Sequence, residues 1–250
     1  GARTWLNQAT GAAVRAFLVM VLIVVPSVIL PGIDTDTRQI VALMALFAGG
    51  LVFAEYNAIY PSLVEFRDGA PFNRIRYLML FAIVLFLSIV VAHREQPSTV
   101  SGLFRVLGDL IGDGLDFPYS PVRLATLMLA DSATAEQIRD VRTATGIAYL
   151  VSLVSLAFFV IVLKLAGWPS TKTAFNVWVN LPTFDPTAGG DVVDRLERDA
   201  RVNLSIGFLV PFVVPLMVAT FTSGLPPDAM TAPQPLIWLT AAWAFMPASL

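Results

Sequence analysis

Long apolar runs, each about as long as a lipid bilayer is thick, recur along this chain. A hydrocarbon core of about 30 Å takes about 20 mostly apolar residues to cross as a helix. Such runs occupy about 14–30 (VRAFLVMVLIVVPSVIL), 39–63, 75–92, 145–167 and 202–222, and a sixth starts near 235 and is still apolar at 250. In water they would leave apolar patches larger than a soluble protein tolerates. The composition agrees, with 56% hydrophobic and 14% charged residues and a mean hydropathy of +0.74. Soluble domains carry about 45–50% and about 25%. The expected fold is all-α: a polytopic helical membrane protein, a single integral membrane domain over residues 1–250 with about six transmembrane helices. A membrane helix does not normally stop inside hydrocarbon, so the chain is expected to continue past Leu250, and Gly1 in place of Met points to trimming. The first run lacks a small-residue cleavage site and leads into further spans, so it reads as a span and not as a signal peptide.

The residue totals exclude several chemistries. With no cysteine there is no disulfide framework, iron–sulfur cluster or thiolate nucleophile. A single histidine, His93, rules out a multi-histidine metal site and a Ser-His-Asp hydrolase is improbable. His93 could ligate one haem or chlorophyll-type metal, but the HRE tripeptide reads first as a polar cluster at the membrane edge. No cofactor is expected. A net charge of −2 suits no nucleic-acid groove.

Orientation follows the placement of Lys and Arg. Ten lie on the N-terminal side: Arg3, Arg15, Arg67, Arg74, Arg76, Lys164, Lys172, Arg195, Arg198 and Arg201. Six lie on the other: Arg38, Arg94, Arg105, Arg123, Arg139 and Arg142. The N-terminus is therefore expected in the cytoplasm, with the chain in the inner membrane if the source is bacterial.

Two connections are too long to be turns and are expected to hold interfacial amphipathic helices. In the third, Val100, Leu103, Phe104, Leu107, Leu110 and Ile111 recur at helical spacing, with Asp109 and Asp113 on another face. The spacing of Asp109, Asp113 and Asp116 matches no calcium loop, which leaves a solvated acidic face. PYSP at 118–121 breaks the chain, and Thr134 with Gln137 resembles a capping box opening a helix through Arg142. In the fourth, Phe175–Leu181 alternates as an extended run or an irregular interfacial helix. Asp191 then reads as an N-cap, followed by three i,i+4 pairs, Asp191/Arg195, Asp194/Arg198 and Glu197/Arg201. GWPSTKT at 167–173 lacks the glycine a phosphate loop needs before its lysine.

Glu55 is the candidate intramembrane polar site, with Tyr56, Asn57, Arg74, Arg76 and Asn203 around it and Arg15 within snorkelling reach. It would be a proton- or substrate-binding carboxylate; the competing readings are a structural ion pair or a helix that leaves the bilayer early. Gly50, Ala54 and Ala58 form a small-residue stripe suited to packing within the chain, with dimerisation as the alternative. Pro211 and Pro215 would each remove a helix hydrogen bond and kink the fifth span. With few buried ionisable groups and extensive interfacial segments, the chain is expected to be a non-catalytic accessory or scaffold subunit. Its partners would be membrane lipids and other integral membrane subunits, with no nucleic acid. The alternatives are a small transporter or channel using Glu55 and the Pro211/Pro215 helix, or the membrane sensor of an enzyme whose catalytic part lies beyond Leu250. No active site is visible.

Overall fold

The computed structural model describes residues 2–167 and 175–250, and apolar length and local stop signals divide these described residues into ten helices. These are α1 (Ala2–Ile29), α2 (Thr35–Asn57), α3 (Phe72–Ala92), α4 (Thr99–Leu115), α5 (Pro121–Thr126), α6 (Ala135–Ala166), α7 (Val177–Asn180), α8 (Val192–Phe221), α9 (Pro227–Thr231) and α10 (Pro233–Ser249). The described residues form no sheet; Leu129 and Leu225 make an isolated bridge. Five helices are long and apolar enough to cross a membrane: α1 from Leu6 onward, α2, α3, α6 and α8. The chain is a multi-pass integral membrane protein. The GWPSTKT run beyond Gly167, including Lys172, and the start of the fourth connection at Trp168 lie outside the described residues.

Contacts between helix ends define two edges of the bundle. At the edge where α1 starts (the near edge), Gln8 meets the end of α2, and Arg76 meets Ser249 at the end of α10. At the far edge, Arg94 meets Thr231 and Gln137 meets Asp228. α10 has 17 residues, about 26 Å of helix, and reaches from one edge to the other. It is shorter than the usual span, and its Ile237 and Ala241 are almost wholly buried.

The core is built on α3, whose Ile83, Val84, Leu87 and Ser88 have no exposed surface. Ser88 is satisfied within its own helix, donating to the Val84 carbonyl at 2.6 Å. α1, α6 and α10 pack on α3. In lipid, helices gain little from excluding one another from solvent, so packing rests on van der Waals fit. Small residues supply that fit at two places. A Cβ on Gly146 would sit 2.6 Å from the Gly112 backbone, so α4 and α6 meet main chain to main chain. A Cβ on Gly49 would lie 2.7 Å from Met20, which makes Gly49 and the buried Ala45 the face of α2 that packs on α1.

The helices depart from the sequence reading in several places. The packing stripe is Ala45 and Gly49: Gly50 and Ala54 point outward, a Cβ on Gly50 would meet nothing within 4 Å, and Ala58 is the C-cap. α2 ends at Asn57, six residues short of the apolar run, because groups from elsewhere occupy its terminal carbonyls. The capping box at Thr134 and Gln137 is present, but the helix it opens continues through Ala166, 32 residues or about 48 Å. Of the three pairs at the start of α8, only Glu197–Arg201 forms, at 3.0 Å. Asp191 is used as the N-cap, accepting from Val193 and Asp194. Arg195 turns back to the Ala188 carbonyl and the Phe184 ring, and Arg198 reaches Asp199 at 3.7 Å. The alternating run at 175–181 forms the single turn α7, with Val179 and Asn180 buried.

Candidate functional site

At the near edge the chain must end α2 while its last carbonyls still lack donors. Arg67 supplies them. Its Nη1 donates to Ala58 at 2.6 Å and Glu55 at 3.3 Å, and its Nη2 donates to Ile59 at 3.3 Å. Gln8 Nε2 donates to the carbonyls of Tyr56, Asn57 and Ala58. The Glu55 carboxylate closes the same turn from the other side, accepting from the backbone N–H groups of Ser62, Leu63 and Val64 at 2.8–3.2 Å. The carboxylate is thereby tied into the turn that follows α2. Neither Arg15, Arg74 nor Arg76 pairs with it among the described residues.

The other predicted site residues separate. Tyr56 accepts from Asn73 Nδ2 at 3.2 Å, and Arg15 lies over its ring at 4.7 Å. Asn57 joins through its carbonyl, while its buried Oδ1 has no hydrogen-bond partner. Arg76 donates to the Ser249 carbonyl at 2.5 Å and lies over the Phe66 ring. Arg74 is exposed and makes no ion pair among the described residues. Asn203 is elsewhere, on the wall of an apolar cavity of about 270 Å³ between α6, α8 and α10. Pro211 lines that cavity too, whereas Glu55 does not. α8 runs helically through Pro211 and Pro215, both buried, and no ionisable side chain other than Tyr149 lines the cavity.

The far edge holds a cluster that local sequence reading missed. All five arginines of the third connection are ion-paired with four aspartates. Asp140, on α6, receives Arg94 and Arg105, each at 2.8 Å. Asp109, on α4, receives Arg105 at 3.3 Å together with Arg139 and the Thr143 hydroxyl. In an adjoining group, Arg142 bridges Asp113 at 3.0 Å and Asp116 at 3.5 Å, and Arg123 closes on Asp116. The solvated acidic face expected at 109–116 is therefore corrected: the Asp109, Asp116 and Asp140 side chains are 13%, 12% and 6% exposed, and Asp113 alone is open at 60%. Partial burial pushes the Asp109 carboxyl up, but the Thr143 hydroxyl and the guanidinium groups of Arg139 and Arg105 outweigh it and hold it below the ordinary carboxylate range. His93 belongs to this edge, with Nδ1 2.9 Å from the Ser101 hydroxyl.

The result is a helix with its polarity reversed. On α4, Ser101, Arg105 and Asp109 turn toward the protein. Val100, Leu103, Val106, Leu107 and Leu110 point away from it, between 46% and 64% exposed. Gly108 and Gly112 explain why: only their bare backbone lets the polar side approach α6 this closely. No group of three or more potential metal-ligating side chains occurs among the described residues. No family model, curated protein or solved structure matches the chain.

Proposed function

We propose that the chain is a non-catalytic accessory or scaffold subunit of a larger membrane complex. It crosses the membrane six times, with α10 as the sixth helix and the N-terminus in the cytoplasm. The reversed polarity of α4 carries this reading. A helix that spends its charged side on its own neighbours and presents five aliphatic side chains outward suits an apolar surrounding, and beside a membrane bundle the partner is another integral membrane subunit. Two further features support it. The arginines and aspartates of the far edge are engaged in holding helices together, and among the described helices α2 packs mainly on α1 while Leu43, Phe47 and Leu51 stay exposed. The excess of Lys and Arg on the N-terminal side supports the orientation.

The test is a photo-crosslinking residue placed at Leu103 or Leu107 in native membranes, followed by gentle-detergent purification. A reproducible protein adduct at both positions, lost when Leu103→Asp is introduced, is the expected result. Adducts to lipid alone, with the chain migrating only as a free monomer, contradict the proposal.

A further inference from the structure

We propose that the near edge carries a binding site for a phosphate group, supplied by an anionic membrane lipid. Two adjoining cavities of about 180 and 160 Å³ lie between α1, the end of α2 and the loop ahead of α3. Arg15, Tyr56, Arg67 and Asp68 line both, and Arg74 lines the second. Either is well above the roughly 10–15 Å³ that admits one water.

Three guanidinium groups face one carboxylate, and the Asp68 side chain is 64% exposed. The cavity walls therefore carry three cations and one anion, with the Glu55 carboxylate acting on Arg67 from behind the wall. The arginines differ in how far they are committed. Arg67 is 9% exposed and anchored on the α2 carbonyls and on Asp68 at 3.4 Å, so it contributes a fixed charge. Arg15 uses one nitrogen on the Gly11 carbonyl at 2.9 Å and rests on the Tyr56 ring, which leaves its other donors open. Arg74 donates to nothing among the described residues. Planar forks of this kind match the oxygens of a phosphate. Basic pockets between membrane helices at a membrane edge are suited to anionic headgroups. The source is argued from the rim. Ile59, Tyr60 and Leu63 continue directly from the carbonyls that Arg67 holds, and at 78%, 65% and 71% exposure they offer apolar surface to an acyl chain.

This inference stands independently of the accessory-subunit reading. Its test uses the whole purified chain and native mass spectrometry with three probes: phosphatidylglycerol, phosphatidylcholine and inorganic phosphate. The double variant Arg15→Gln/Arg74→Gln is compared with Arg38→Gln, which removes an exposed far-edge arginine. Phosphatidylglycerol is expected to bind the wild type and Arg38→Gln alike, and the double variant about tenfold more weakly, the loss of one charge-assisted contact or more. Lipid-free melting of the double variant should match the wild type, which separates loss of binding from loss of folding. Equal binding by the double variant, equal loss in Arg38→Gln, or equal affinity for phosphatidylcholine overturns the proposal. Retention of inorganic phosphate without phosphatidylglycerol overturns the lipid as the source.

Discussion

The two edges of the bundle use arginine in opposite ways. At the far edge Arg94, Arg105, Arg123, Arg139 and Arg142 all meet aspartates, five guanidinium groups sharing four carboxylates. At the near edge Arg15, Arg74 and Arg76 meet a ring, carbonyls or solvent, and no carboxylate among the described residues. Arg67 has Asp68, its mostly exposed neighbour, at 3.4 Å and the Glu55 carboxylate at longer range. One edge is a clamp in which every arginine closes on a carboxylate, and the other holds its arginines mainly on carbonyls, rings and solvent. A residue count that treats the arginines alike misses this: six on one side and ten basic residues on the other is a smaller contrast than the pairing makes.

Breaking the clamp should cost most. Asp140→Ala leaves Arg94 and Arg105 partly buried without their shared partner, and about 3 kcal/mol of stability should be lost. Thermal unfolding in detergent reads this directly. Asp68→Ala at the near edge should change stability by under about 1 kcal/mol, because the carboxylate is mostly exposed and Arg67 keeps its carbonyl partners. Equal losses at the two sites would erase the distinction between the edges.

Next is the contact that allows the clamp to form. Gly146→Val places side-chain atoms where the Gly112 backbone lies and should cost about 1–3 kcal/mol through overpacking. Gly50→Val, in open space on α2, should be close to neutral. Glu55→Gln sharpens the near-edge side of the comparison. It weakens the charge-assisted bonds from Ser62, Leu63 and Val64 and should cost about 1–2 kcal/mol, measured as unfolding and not as loss of flux.

Acid gives the shallowest change at the far edge. The folded protein holds the Asp109 carboxyl below its ordinary value, so its contribution is complete at neutral pH. It is lost only as the pH falls through that depressed value. Melting curves taken at decreasing pH should show Asp109→Asn with a smaller acid response than the wild type.

Five of the six expected spans were legible in the sequence because bilayer thickness sets their length and hydrocarbon sets their composition. The Thr134 capping box was legible because its partners are three residues apart. What escaped was long-range. The end of α2 at Asn57 depends on Arg67 and on Gln8, about fifty residues upstream. The clamp joins Arg105 to Asp140 across 35 residues, so local reading saw an acidic stripe where the fold has ion pairs. The small-residue stripe was misplaced by one position, since Gly49 and Gly50 are adjacent and only packing tells them apart.

The claim on which the account depends most is that α4 turns its aliphatic side to an apolar surrounding. The chain has no native cysteine, so single cysteines at Leu107 and at the exposed, charged Asp131 can be compared in intact membranes with a water-borne maleimide. The account predicts rapid labelling at Asp131→Cys and protection at Leu107→Cys. Equal labelling at both positions would mean that water bathes that face, and the account would be wrong.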